Sequence, residues 1–131
     1  MPKSTYLANK LLDLPVGAVA YTAPATLYFA LYTTAPSAGG GGTEVSGGNY
    51  SRASVTNNAT NFPAASSGVK SNANAITWPT ASASWGVITS VGVIDAATGG
   101  NLLYFATISS KTIDANDTVS IPASNFTLSE S

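Results

Sequence analysis

Hydrophobic positions recur at every second residue along much of the chain after Thr26, and this spacing predicts β-strands. Leu27, Phe29 and Leu31 lie on one side of the first such segment, alternating with residues that are only partly apolar. Residues 85–95 form the strongest predicted strand, because β-branched residues recur at every second position and both faces are expected to be largely covered. The β-branched face consists of Val87, Thr89, Val91 and Val93. These two segments are the expected centre of a sheet.

Shorter runs of the same kind, separated by turn residues, complete the predicted domain. The further predicted strands are residues 50–56, 69–78, 102–109, 118–121 and 125–129. Residues 96–101 contain a glycine pair and are expected to form a hairpin loop, and residues 111–117 are expected to form a second turn. The predicted fold class is all-β: an antiparallel β-sandwich or jelly-roll-like domain with a short N-terminal helix and an extended arm.

The N-terminal segment follows a helical pattern instead. Ser4 can cap a helix that Pro15 would end. Its leucines follow i, i+4, i+7 spacing: Leu7, Leu11 and Leu14. The residues after the proline, 16–25, contain further breakers and are expected to be extended. We therefore divide the chain into a helix and arm, residues 1–25, and a β-sandwich domain, residues 26–131.

A helix of about three turns is unstable alone in water, so its leucines are expected to pack on a protein surface. Two surfaces are open to it: its own domain or a partner subunit. On the second alternative, deleting residues 1–15 would leave a folded β domain that no longer binds its partner. The hypothetical partner-binding residues are Tyr6, Leu7, Leu11, Leu14, Val16, Glu44 and Arg52.

Two glycine clusters lie between the first two predicted strands, in the sequence GGGGTEVSGG. A phosphate-binding loop would need a lysine or a following helix, and neither is present. Residues 39–48 are therefore predicted to be a permissive connection between strands, able to adapt to a neighbouring subunit. Glu44 and Arg52 are expected to pair across its base and to fix its register.

Composition narrows the possible functions. The chain has 131 residues, no Cys and no His, only 8% charged residues and a formal net charge of −1. The missing His and Cys remove the usual general base, thiolate nucleophile and metal ligands, so neither an enzyme nor a cofactor is predicted. Scattered basic residues and short apolar runs argue against nucleic acid and membrane as partners. No signal peptide is apparent, which predicts synthesis in the cytoplasm without export.

Three local features have residue types that could form a site. Residues 114–117, with the sequence DAND, could offer oxygen ligands to calcium, but a turn in which Asp114 or Asn116 bonds nearby backbone is favoured. Trp78 and Trp85 could stack on sugar rings, but packing in the core is favoured. The acidic residues lie mostly in loops, so a pair of catalytic carboxylates is not expected.

Three segments carry a family resemblance: LYFALYTTAPSAGGGGTEVSGGNYSR, ITWPTASASWGVITSVGVIDAATGGNLLYFATIS and KTIDANDTVSIPASNFTLS. They resemble a family of small tailed-bacteriophage virion proteins, often labelled tail-fibre proteins and similar to capsid decoration proteins. The resemblance spans roughly residues 26–129, without the N-terminal helix and arm. It implies a structural role and synthesis in the bacterial host cytoplasm, and it brings no catalytic residues.

The resemblance leads to a predicted capsid decoration (cement) protein that binds and stabilises the shell of major capsid protein on the outer surface of the virion, as a homo-oligomer, dimer or trimer. The alternative is a tail or head fibre component that binds the host surface, including its carbohydrate. Copy number separates the two, because a decoration protein is present in far more copies per particle than a fibre protein.

Overall fold

The computed structural model describes residues 1–129, which form one α-helix and nine β-strands. The elements, in chain order, are α1 (Thr5–Asp13), β1 (Thr26–Thr34), β2 (Thr43–Glu44), β3 (Ala53–Thr56), β4 (Val69–Ser71), β5 (Ile76–Thr77), β6 (Gly86–Ile94), β7 (Leu102–Ile113), β8 (Ser120–Ile121) and β9 (Thr127–Ser129). The predicted boundary of the β domain extends to Ser131, and its last two positions, Glu130 and Ser131, lie outside the described residues.

The larger sheet is built on the two strands that the alternating pattern predicted most clearly. β6 lies between β1 and β7, and all three run antiparallel to their neighbours. The other edge of β1 is shared: β3 pairs with its first half and β2 with its last residues. Phe29 and Val93 are paired and both point into the core, as expected from the period of two.

The second layer consists of two short strand pairs, β4–β9 and β5–β8. The prediction of one continuous strand over residues 69–78 is wrong, because the chain leaves the strand conformation between β4 and β5. The buried amide of Asn72 replaces the missing ladder: it donates to the carbonyl oxygens of Asn74 and Pro122 and accepts from the N–H of Phe126. These three backbone groups therefore have hydrogen-bond partners although no strand pairing continues through this region.

The core lies between the two layers and is dominated by aromatic side chains. Phe29 packs against Phe126 and Phe62, with ring centroids 5.0 and 6.5 Å apart. Trp78 is only 1% exposed, and its indole N–H donates to the carbonyl oxygen of Phe29 at 2.9 Å. This bond joins the two layers directly, and the arrangement confirms the predicted all-β, sandwich-like class.

Several other strand boundaries differ from those predicted, since β3, β8 and β9 each begin two or three residues later than expected. β7 continues to Ile113, beyond the turn expected to start at residue 111, because its last residues pair with the start of β6. A bulge between Ile88 and Ser90 of β6 lets β7 carry extra residues through this region. β2 was not predicted at all, since two residues between glycines carry no periodic signal.

The helix folds back on its own domain, which is one of the two alternatives open from the sequence. Ser4 caps it, accepting from the N–H of Leu7 at 3.1 Å, and Leu7 belongs to the core with 4% exposure. The residues before the helix extend the sheet at the edge of β7: Ser4 N–H donates to Leu103 and Phe105 N–H donates to Pro2. Residues 1–11 are therefore structurally continuous with the β domain.

Candidate functional site

The charged pair predicted from the sequence forms the centre of a hydrogen-bonded cluster. Arg52 donates to both carboxylate oxygens of Glu44, at 2.9 Å each, from Nε and Nη2. The Tyr50 hydroxyl donates to the same carboxylate at 2.6 Å and accepts from the N–H of Leu31 at 3.0 Å. The cluster is partly shielded, with side-chain exposures of 10% for Arg52 and 25% for Glu44.

Arg52 also holds the hairpin loop between β6 and β7. Its Nη1 donates to the carbonyl oxygens of Ala96 at 2.7 Å and Gly99 at 2.9 Å. Asp95 stabilises the same loop from within, accepting from the N–H and the side-chain amide of Asn101. The guanidinium is thus engaged by protein groups on both sides, and its role in this structure is to join segments.

The cluster also shifts the pKa values of its members. Burial alone would raise the pKa of the Glu44 carboxyl, but the hydrogen bonds from Arg52 and Tyr50 outweigh burial and lower it. Burial, followed by the hydrogen bond to Glu44, raises the pKa of the Tyr50 hydroxyl far above its ordinary value. The hydrogen bond to Glu44 raises the pKa of Arg52. All three groups therefore keep their charge states at neutral pH, which suits a structural cluster.

The glycine loop that contains Glu44 is tied to the domain at several points. The N–H of Thr5 donates to Ala38 at 2.8 Å, and the indole N–H of Trp85 donates to Gly48 at 2.8 Å. The glycines supply positive φ angles at Gly40, Gly41, Gly42, Gly47 and Gly48. The predicted connection between strands is present, with β2 as an unexpected paired segment inside it.

The predicted partner-binding residues of the N-terminal segment fall into two groups. Leu7 is buried in its own core, and Tyr6 and Leu11 pack against that core, so most of their apolar surface is already used. Leu14 and Val16 are exposed, at 47% and 79%. Only the second group offers free apolar surface, and it lies after the helix rather than along it.

The two tryptophans and the turn at residues 114–117 have structural roles. Trp78 and Trp85 are both buried, as favoured, so they offer no ring face to a sugar. Residues 114–117 form the favoured turn, but the side chain that bonds backbone is that of Asp117, which accepts from the N–H of Asp114 at 2.9 Å. Among residues 1–129, no group of three or more acidic side chains could hold a metal ion together.

Two open grooves were not predicted from the sequence. One, of about 530 Å³, is lined by Tyr6, Tyr32, Arg52 and the glycine turns at 39–41 and 99–100. The other, of about 480 Å³, lies between β7 and the segment that holds β8 and β9, and is mostly apolar. Each is lined by segments that are distant along the chain, so no local sequence pattern marks it.

In the part of the chain that the structure describes, no helix has the length and apolar character needed to span a membrane. The main features of the structure are a small antiparallel sandwich, a charged pair neutralised within the domain, and an exposed apolar segment after the helix.

These features define a structural β module, and the sequence places it among bacteriophage virion proteins. The chain belongs to the family described as "Podophage GP4 fiber I protein gp80", whose model matches residues 2–129. The match includes the N-terminal helix and arm, which the earlier resemblance left out. No curated protein matches the chain. The family resemblance is thus confirmed, and with it the virion as the location and a structural role in the particle.

Proposed function

We propose that this protein is a component of a fibre on the phage particle, in which it serves as a small rigid β-sandwich module. The observation that carries the proposal is the match of a fibre-protein family from residue 2 through the last described strand. Because the match includes the helix and the exposed segment after it, we assign these parts to the fibre role as well as the sandwich.

The chemistry of the surface supports a structural rather than a catalytic role. The sequence contains no His and no Cys, and the charged pair Glu44–Arg52 is engaged by neighbouring protein groups. The remaining acids of the described chain are Asp13, Asp95, Asp114 and Asp117, and the structure gathers no group of three of them among residues 1–129. A module that lacks His and Cys, and whose charged pair is engaged internally, is suited to a particle that persists outside cells.

The capsid decoration role stays a prediction, as do the major capsid protein as partner and carbohydrate as ligand. The family description names a fibre. It therefore supports the alternative role, a fibre component, better than the decoration role. No contact in the structure favours a capsid shell over a fibre.

Immunogold electron microscopy of intact particles tests the proposal. Antibodies raised against the recombinant chain should label fibres, and prior incubation with that chain should abolish the label. Label spread evenly over the capsid shell would overturn the fibre assignment and restore the decoration role. The recombinant chain itself is the matched control, because it competes only for antibodies specific to this protein.

A further inference from the structure

The end of helix α1 and the turn after it form an exposed apolar surface, residues 12–20, which we call the apolar knob. All nine of its residues are exposed. Its large apolar members are Leu12, Leu14, Val16 and Val19, with exposures of 68%, 47%, 79% and 49%. A cluster of this kind on a small domain is typical of an interaction site.

The knob has a defined shape. The N–H of Val16 donates to Leu12 at 3.4 Å, and the N–H of Val19 donates to Asp13 at 3.0 Å. Gly17 and Ala18 take positive φ angles, which turn the chain sharply after the helix. Asp13 is the one charged residue within the knob. The surface is therefore a compact apolar protrusion with a single negative charge.

The apolar groove beside β7, defined above by its volume of about 480 Å³, has the complementary character. Its floor is formed by buried core side chains, among them Trp78 and Phe126. The apolar surface that solvent can reach in the groove comes from partly or fully exposed side chains: Met1, Ala106, Val119, Ile121 and Pro122. Ile108 lies in its wall and is 38% exposed. Among the described lining residues, Lys111 is the one with a charged side chain, and it is exposed.

We propose that the knob of one copy of this protein inserts into the groove of a second copy. Insertion would remove two exposed apolar surfaces from water together, which is the main driving force of association. The opposite charges of Asp13 and Lys111 would meet at the rim and favour one orientation. The volume of the groove lies in the range of pockets that bind small ligands, which is enough for a few aliphatic side chains.

Knob and groove are different surfaces of the same chain, so the contact is heterologous. Such contacts join copies head to tail and produce either a closed ring or a growing filament. This inference goes beyond the fibre assignment: a particle label on fibres would stand even if purified chains did not associate, and association of purified chains says nothing about the place of the label.

A crosslinking experiment tests the contact directly, because the chain contains no native cysteine. Val16→Cys chains are mixed with Ile108→Cys chains that carry a larger tag, and the mixture is oxidised. We expect a crosslinked product of mixed size in clear excess over a control in which Val69→Cys, exposed on β4, replaces the groove variant. Equal yields from the two mixtures, or no mixed product, would overturn the proposal.

Sedimentation measurements test the chemistry. Val16→Asp should weaken self-association by roughly tenfold or more, since it places a charge in an apolar contact. Its urea midpoint should match that of the native chain, because Val16 is largely exposed. A native chain that stays monomeric at all concentrations, or a Val16→Asp chain that associates as well as the native one, would contradict the proposal.

A charge exchange provides the internal control. Asp13→Lys and Lys111→Asp should each weaken association, because each places like charges together at the rim. The double variant restores the opposite pair in reversed order and should associate more strongly than either single variant. A double variant that is no better than the singles would show that these residues do not meet, and would overturn the proposed orientation.

Discussion

Arg52 binds two other segments of the chain, one of them 44–47 positions away. It binds Glu44 of β2 through two hydrogen bonds and the loop after β6 through the carbonyl oxygens of Ala96 and Gly99. The planar guanidinium can make these contacts at once because its donors point in fixed, divergent directions. A single side chain thus fixes the position of two loops at one end of the sandwich.

Removing this side chain should destabilise the domain. We expect Arg52→Ala to lower the free energy of unfolding by about 2–3 kcal/mol, because it leaves Glu44 partly buried without its cation. Arg52→Lys is the matched control: it keeps the charge but lacks the fork geometry, so an intermediate loss is expected. Urea unfolding measures both, and an alanine variant as stable as the native protein would contradict the structural role of the cluster.

The same cluster predicts a pH dependence. The pKa of Glu44 is lowered in the folded state, so the unfolded state binds more protons and stability rises with pH. The contribution of Glu44 is present above its unfolded pKa of about 4.5 and is lost as pH falls through the folded pKa. Unfolding of the native chain and of Glu44→Gln should therefore differ more at pH 7 than at pH 3. A difference that is constant with pH would refute this.

At the scale of elements, the glycine loop before β2 depends on both backbone conformation and space. Gly41 and Gly42 have nearly equal positive φ angles of 80° and 79°. A Cβ at Gly42 would lie 2.7 Å from the carbonyl oxygen of Thr34, whereas at Gly41 nothing lies within 4 Å. The two positions separate the cost of conformation from the cost of contact.

Alanine substitution at these two positions makes a matched test. Gly41→Ala should lower the free energy of unfolding by about 1 kcal/mol, the strain of a positive φ angle. Gly42→Ala should cost about 1–3 kcal/mol more, because the backbone of residues 34–36 must shift. Equal losses in urea unfolding would show that the loop rearranges without cost and is not held as described.

The elements that were predicted correctly are those in which a local pattern and the tertiary environment agree. β1 and β6 are paired on both edges. Core residues recur at every second position where the two strands pair with each other, so the sequence pattern matches the face that is buried. The break between β4 and β5 was missed because it depends on Asn72, whose partners Pro122 and Phe126 lie some fifty positions later. No local pattern reports a contact of that range.

The same reasoning applies to the sites. The pairing of Glu44 with Arg52 could be predicted from charge and spacing, because so few charged residues are available. The carbonyl oxygens of residues 96 and 99 could not be predicted as partners of Arg52, since every residue has a carbonyl. Tyr50 could not be assigned to the cluster either, because the fold alone places its hydroxyl beside Glu44 and Leu31. The helical leucines gave the right element, but only the fold shows that Leu7 is buried while Leu14 is exposed.

At the scale of the whole molecule, the N-terminal helix is part of one packed unit. Leu7→Ala should lower the free energy of unfolding by about 2–4 kcal/mol, because it leaves a cavity in the core. Leu12→Ala, on the exposed side of the same helix, should change it by less than about 0.5 kcal/mol. Similar effects of the two variants in urea unfolding would contradict the packing of the helix. A chain from which residues 1–15 are deleted is accordingly expected to have a lower free energy of unfolding than the full chain.

We propose that this chain is a fibre module of the phage particle, and this role limits how many copies a particle can hold. Quantitative mass spectrometry of purified particles tests it most directly, with the major capsid protein as the internal reference. A fibre follows the low-order symmetry of its attachment point, so we expect a few copies to roughly a few dozen copies per particle. A number comparable to that of the capsid subunits, in the hundreds, would contradict the fibre assignment and favour a decoration protein.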